Sequence, residues 1–288
     1  MIRLRQSGVD EILIKRVRDW YDPGLGVFIQ SRTALFSPEM LFTGSTNGVW
    51  YDPSDFTTLF QDAAGTLPVT AVAQPVGRIL DKSGQGNHAY NPSGNSANFP
   101  VLQQDGTGRY YLAFNGTNQW LQTNSINFTS TARMFVCAGV RKLSDAAIGC
   151  LFETSTSPSS NNGAFSAFAP IATNGGPYRF YSRGTVAPAD GAKVTSGYSA
   201  PITNVFTGVS DIGNSTCKIR LNTIEAATDS SNQGTGNYGD YPLYIGARAG
   251  TSLWFNGRLY PLVVAGKQAS AAEITNTETF INQKTGAY

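Results

Sequence analysis

The chain has 288 residues, of which 41% are hydrophobic and only 14% are charged, and its formal net charge is +2. So weak a net charge argues against nucleic-acid or other polyanion binding as the main activity. The abundance of Gly, Ser, Thr and Asn is typical of strands and turns rather than long helices, and predicts one large all-β domain with an extension.

The cysteines and the first residues give expectations about the cellular compartment. Cys137, Cys150 and Cys217 are widely spaced and include no C-x-x-C pair, which predicts free, buried thiols rather than disulfides or a zinc site. Arg3 and Arg5 are not followed by an apolar run, so we expect no secretory signal peptide. We also expect no membrane span, since no apolar run is long enough.

The first segment has the spacing of an amphipathic helix. Its apolar residues could share one helix face; they are Val9, Ile12, Leu13, Val17 and Trp20. Such an element either docks on a partner protein or packs on its own domain. Asp22-Pro23-Gly24 predicts a turn at its end.

A second helical pattern predicts a short helix near residues 53–62. Asp52 could cap it, Pro53 suits its first position, and Phe56, Leu59 and Phe60 form an apolar stripe. Asp55 would lie near the unpaired amides of the first turn. With Asp52 and Asp62 it could also be imagined as a metal cluster, but helix capping and solvation explain these carboxylates more simply.

From residue 109 onward, short apolar runs predict a succession of strands. These are 110–114, 120–123, 133–140, 149–153, 164–169, 178–182, 205–211, 216–222, 243–246 and 258–264. In 216–222, Cys217, Ile219 and Leu221 alternate with polar residues, so one face of that sheet should be solvated. The run from Met134 to Ala138 is apolar on both faces and predicts a central strand.

Turn and capping signals complete the pattern. Asn-Gly pairs that tolerate positive φ occur at residues 115–116, 162–163, 174–175 and 256–257. Many short strands joined by such turns predict a β-sandwich. Ser270-Ala271-Ala272-Glu273 is a capping box that predicts a helix near 271–284, with Gly286 as its stop.

Five motifs occur in the order found in laminin-G-like, concanavalin A-like jelly-roll domains. The first, Asp81-Lys82-Ser83-Gly84-Gln85-Gly86-Asn87, resembles the D-x-S-G-x-G-N opening of these domains. The other four lie at residues 111–121, 218–222, 243–246 and 255–274. The resemblance covers residues 77–285 and implies an all-β jelly-roll sandwich in 77–288, preceded by an N-terminal extension in 1–76. Asn115 and Asn118 stand where acidic residues are common in the family, which argues against metal binding there.

A further resemblance concerns function. Residues 54–89 resemble a passage common in virion proteins of tailed bacteriophages and prophages that carry such jelly rolls. This implies a virion structural protein, such as a capsid decoration, tail fibre or appendage. It would be made in the host cytoplasm and join other virion proteins, with or without self-association, through the segment 1–76.

An enzymatic function has little support in the sequence. The E-x-D-x-x-E triplet of retaining glucanases is missing, and Glu153 is an isolated acid, so a polysaccharide hydrolase is the least favoured alternative. His88, the one histidine, would have to serve any Ser-His-Asp arrangement, but it directly follows Gly86-Asn87 and is interpreted as a turn residue. We therefore expect a non-enzymatic protein without a required cofactor.

Binding of host surface polysaccharide is the main alternative to a purely structural role. Aromatic rings and amides in polar loops suit sugar rings and hydroxyls. The candidate residues are Tyr198, Asn237, Tyr238, Asp240, Tyr241 and Trp254. Ca²⁺ bound at Asp81 with Asn87, or at Asp229 and Asp240, is a weaker hypothesis.

Overall fold

The computed structural model describes residues 20–22, 27–29, 36–172 and 176–288. The chain divides into two compact units, Met1–Phe36 and Ser37–Tyr288. In the first unit, strands β1 (Trp20–Asp22) and β2 (Val27–Ile29) pair antiparallel. Trp20 is therefore in a strand, whereas the rest of the segment predicted to be helical lies outside the described residues.

The second unit is an antiparallel sandwich of two sheets. Its strands are β3 (Gly48–Tyr51), β4 (Leu59–Phe60), β5 (Arg78–Ile79), β6 (Ala89–Tyr90), β7 (Val101–Gln104), β8 (Tyr110–Asn115), β9 (Leu121–Asn127), β10 (Arg133–Lys142), β11 (Cys150–Thr154), β12 (Phe165–Phe168), β13 (Tyr178–Ser182), β14 (Ala192–Val194), β15 (Ile202–Asp211), β16 (Thr216–Leu221), β17 (Ile224–Asp229), β18 (Asp240–Ile245) and β19 (Asn256–Ala265). The predicted all-β jelly-roll-like class is confirmed.

One sheet has the strand order β17-β16-β15-β10-β19-β8-β7, and β19 also pairs with β3 beyond its contact with β8. The other sheet has the order β14-β13-β12-β11-β18-β9-β6-β5-β4. The core lies between them, where residues such as Val136, Phe152 and Leu262 are inaccessible to solvent. Alternate residues of each strand point to this core, so the remainder form two outer faces.

The patterns of two strands are confirmed. β10 lies between β15 and β19, and every residue from Met134 to Val140 is buried, as a central strand requires. In β16 the apolar members Cys217, Ile219 and Leu221 are fully buried and the intervening residues are not. All three cysteines are free and buried, as expected.

Helix α1 (Ala271–Thr285) covers the outer face of the sheet that contains β10. The predicted capping box forms, with Ser270 Oγ accepting from the Glu273 amide and the Glu273 carboxylate accepting from the Ser270 amide, and Gly286 ends the helix at φ 64°. Arg220 donates to both carboxylate oxygens of Glu278 at 2.8 and 3.1 Å. Gly139 permits the close approach of the helix, since a Cβ there would lie 2.0 Å from Thr285 Oγ1. In the described part of the chain, no helix is both long and apolar enough to cross a membrane.

The predicted helix near 53–62 is wrong. Only a 3-10 turn forms at Phe56–Thr58, capped by Asp55 rather than Asp52, and Leu59–Phe60 is strand β4. Leu59 pairs with Ile79 of β5 and is fully buried, so sheet pairing overrides the helical spacing.

Two other expectations differ from the structure. Gly116 and Gly163 take the predicted positive φ values of 72° and 71°, but Asn256-Gly257 begins β19 instead of forming a turn, and residues 174–175 lie outside the described residues. The compact unit begins at Ser37, whereas the sequence placed the domain boundary between residues 76 and 77. The part of the extension from Ser37 onward thus contributes β3 and β4 to the sandwich.

Candidate functional site

The stretch from Gly77 to Ala89 folds as β5, a loop and the start of β6. Asp81 Oδ1 accepts from the amides of Trp50 and Ser83, both at 2.9 Å, and Oδ2 accepts from the Ser83 hydroxyl at 2.7 Å and the Asn87 amide at 3.0 Å. The Asn87 side chain donates to Gly48 O at 2.8 Å. Asp81 and Asn87, the weak calcium candidates, therefore clamp this loop to β3.

The other acidic candidates are also engaged locally or exposed. Asp229 accepts from the amide and hydroxyl of Ser231, and Asp240 is exposed at the start of β18. The described residues contain no group of three or more His, Cys, Asp or Glu side chains that could hold a metal ion.

Directly opposed residues form a row across the outer face of the nine-stranded sheet. From one side to the other, this outer row consists of Arg78, Tyr90, Gln122, Tyr244, Glu153, Ser166 and Tyr181. Their chain neighbours, such as Ile79, Ile245 and Phe152, point into the core. The pleat therefore places these side chains on the face of the sheet away from the core, where Arg78, Tyr90 and Gln122 are partly exposed and the members from Tyr244 to Tyr181 are covered by other residues.

A cavity of about 460 Å³ opens at the Arg78 end of the outer row. Its lining includes Arg78, His88, Tyr90 and Asn124, together with Ala63, Gly86, Asn87 and Ser125. The Tyr90 hydroxyl donates to Asn124 Oδ1 at 2.9 Å, which joins β6 to β9 across the pocket wall. We call this cavity the Tyr90 pocket.

The Arg78 guanidinium is hydrogen-bonded through one of its nitrogens, whereas another lacks a partner among the described residues. Its Nη1 donates to the carbonyl oxygens of Ala63 and Ala64, both at 3.3 Å. Its Nε is buried and has no hydrogen-bond partner among the described residues. The Arg78 side chain as a whole is half-buried and lines the cavity, so the rest of its guanidinium can meet a ligand there.

His88 is a neutral member of the Tyr90 pocket. Its Nδ1 accepts from the Asp81 amide at 3.0 Å, which assigns the ring proton to Nε2. Burial and the nearby Arg78 guanidinium lower the pKa of His88 below its ordinary 6.5, against the opposing effect of Asp81. His88 is thus part of a turn, as interpreted from the sequence, and also lines the cavity.

The candidates proposed from the sequence do not form one site. Asn237 donates to Thr129 O at 2.7 Å and the Tyr241 hydroxyl to Asn162 O at 3.0 Å, so both bind neighbouring loops beside the exposed Asp240. Tyr198 packs edge-on against Tyr178 with the ring centroids 6.2 Å apart. Trp254 is half-buried in the loop before β19. Within the described chain, no hydrogen bond or ring contact joins Tyr198 or Trp254 to the other candidates.

Tyr238 must be removed from the glycan-contact candidates. Its side chain is 1% exposed, and its hydroxyl lies 2.6 Å from the hydroxyls of both Ser182 and Ser210. The ring packs against Phe165 in the core. A polar loop sequence does not reveal that a tyrosine within it points inward.

Glu153 lies in the outer row between Tyr244 and Ser166 and is fully buried. Arg248 Nε donates to one of its oxygens and the Ala249 amide to the other, both at 3.2 Å. Burial raises the pKa of Glu153 to about 7, although Arg248 and the Ala249 amide act to lower it.

Arg78, Tyr90 and Asn124 were not predicted as site residues. Arg78 and Tyr90 flank the loop that the sequence singled out, but Asn124 comes 34 residues after Tyr90 in the chain. Tyr90 and Asn124 are brought together by the pairing of β6 with β9. The available signal was the outward position of Asn124 in a strand with alternating burial.

Comparisons with known proteins identify the fold and no sequence family. No family model matches the chain, and no curated protein matches its sequence. Among solved structures, it is similar to domain 4 of AbnA, a GH43 extracellular arabinanase from Geobacillus stearothermophilus, in complex with arabinotriose. The TM-score is 0.55 at 13% identity, covering 81% of this chain and 98% of that one.

Two toxin binding domains have a similar fold. The botulinum neurotoxin serotype D/C binding domain has a TM-score of 0.53 at 10% identity, covering 85% of this chain and 53% of that one. The binding domain of Paraclostridial Mosquitocidal Protein 1 has a TM-score of 0.52 at 13% identity, covering 74% and 51%. The chain thus spans about half the length of these two domains.

Proposed function

We propose that the protein is a carbohydrate-binding β-sandwich module and that the Tyr90 pocket holds a sugar residue of its ligand. The observation that carries this proposal is the set of groups in one open cavity: a tyrosine ring, an amide, a neutral imidazole and a guanidinium with an unpartnered Nε. Sugar rings pack on aromatic side chains, and sugar hydroxyls need both donors and acceptors.

The size and chemistry of the pocket support a small polar ligand. Its volume of about 460 Å³ lies within the usual range of ligand sites. Among the described residues no carboxylate lines the pocket, and His88 is neutral, so sugar hydroxyls would meet uncharged hydrogen-bonding groups except at Arg78. The arabinotriose complex of the structurally similar arabinanase domain makes arabino-oligosaccharides sensible first probes.

The test is a glycan array followed by calorimetric titration with the best oligosaccharide, using arabinotriose as the first defined probe. Tyr90→Ala should weaken binding at least tenfold, which corresponds to about 1.4 kcal/mol, because it removes both the ring and the bond to Asn124. Tyr90→Phe should have a smaller effect, since it keeps the ring.

Tyr241→Ala is the matched control, because it removes a half-buried tyrosine that lies outside the pocket. Equal losses in Tyr90→Ala and Tyr241→Ala, or no binding to any surface polysaccharide, would contradict the assignment.

A virion structural role is a second proposal. It rests on the resemblance of residues 54–89 to phage virion proteins and fits with a separate compact unit, Met1–Phe36, that could serve for attachment. A mass spectrum of purified particles from cells that express the gene tests it. Absence of the chain from every particle would reject this role and leave the binding proposal unaffected.

A further inference from the structure

Two guanidinium groups lie on aromatic rings near the other end of the outer row. Arg179 lies over Tyr181 at 4.9 Å from the ring centroid, and Arg248 lies over Phe168 at 5.3 Å. Phe168 is directly opposite Arg179 in the pairing of β12 with β13. The four side chains therefore form one contiguous cluster, in which each guanidinium lies against an aromatic ring.

Positive charge exceeds negative charge in this cluster. Glu153 accepts from Arg248 Nε at 3.2 Å, whereas Arg179 Nε is buried without a hydrogen-bond partner among the described residues. Lys193 is opposite Arg179 in β14, and its carboxylate neighbour Asp190 is 3.9 Å away and largely exposed. Burial, with a smaller effect from Arg248, lowers the pKa of Arg179 in spite of Asp190.

We infer that Arg179 and Arg248 bind the carboxylate of an acidic sugar residue. This inference rests on the proposed carbohydrate function and specifies the class of its ligand. A guanidinium with free donors matches a planar carboxylate, which can accept two parallel hydrogen bonds. An acidic sugar is favoured over an acidic peptide because this cluster and the Tyr90 pocket share one outer face.

The spacing of the strands sets the length of the ligand. Tyr90 and Tyr181 are separated along the outer row by β9, β18, β11 and β12. At about 4.8 Å per strand, the two ends lie roughly 24 Å apart. The acidic residue would therefore be several sugar units away from the residue in the Tyr90 pocket.

The experiment compares methyl glucuronide with methyl glucoside, which have the same ring and differ in a carboxylate. Each is titrated into the full chain while the ¹⁵N resonances of the arginine Nε groups are followed. The glucuronide should shift the Arg179 and Arg248 signals, and the glucoside should not. Arg179→Gln should weaken glucuronide binding at least tenfold, and Arg179→Lys should weaken it less, because lysine keeps the charge without the planar fork.

Arg258→Lys is the matched control, since Arg258 is stacked on Tyr111 at 4.5 Å in the other sheet. Equal response to both sugars, unchanged binding in Arg179→Gln, or tighter binding of a hexa-aspartate peptide would overturn the inference. Binding of neutral oligosaccharides that depends on Tyr90, without a glucuronide response at Arg179, would overturn it and leave the proposed function intact. A glucuronide response with no oligosaccharide binding would instead contradict the proposed function.

Discussion

At the residue scale, Glu153 combines complete burial with a partly exposed partner, Arg248. Its pKa rises from an ordinary 4.5 to about 7. Between these values the folded state holds a proton that the unfolded state has released, so stability falls as pH rises from about 4.5 to 7. At about 1.4 kcal/mol per pKa unit, the loss from this one group amounts to roughly 3 kcal/mol.

Glu153→Gln should remove this part of the pH dependence, because glutamine does not titrate. The measurement is the free energy of unfolding by urea at pH 5, 6, 7 and 8. The difference between wild type and variant at each pH gives the contribution of the Glu153 carboxyl. Glu225→Gln is the control, since Glu225 is exposed and Thr228 and Lys218 lower its pKa. A wild-type slope that persists in Glu153→Gln would show that the carboxyl is ionised throughout this range.

At the element scale, α1 depends on its first turn. Ser270 and Glu273 satisfy each other's backbone amides, and the helix then packs Phe280 against Trp50 and pairs Glu278 with Arg220. Ser270→Ala should therefore lower the free energy of unfolding by about 1 kcal/mol, measured by urea titration. Thr279→Ala, at an exposed position within the helix, should be neutral or slightly stabilising. Equal losses in both variants would indicate that the cap is not the cause.

At the scale of the whole molecule, the sequence predicts the sandwich well and the site poorly. Alternation in β16 and the fully apolar run in β10 predict strands because burial on one face or two faces leaves a direct mark in the chain. The pattern around Leu59 misleads because its helical spacing is overridden by pairing with β5.

The Tyr90 pocket and the arginine cluster could not be predicted in the same way. Tyr90 meets Asn124, and Arg248 meets Phe168, through strand register and loop placement, which join residues far apart in the chain. The loop at Gly77–Ala89 could be identified because its turn residues are consecutive in sequence, whereas the groups that complete its cavity are not.

The folding unit of the sandwich is expected to extend from Ser37 to Tyr288. The compact unit begins at Ser37, and its β3 pairs with β19 while the Trp50 amide donates to Asp81 at 2.9 Å. Removal of residues 1–36 should therefore leave the thermal unfolding midpoint of the sandwich unchanged. Removal of residues 1–76 should give an insoluble or unfolded chain, because Val49, Tyr51 and Leu59 leave the core and the edge of β19 next to β3 is exposed. Calorimetry of both truncated chains tests these expectations. A cooperative unfolding transition in the chain that lacks residues 1–76 would support a domain boundary between residues 76 and 77, and would show that the sandwich folds without β3 and β4.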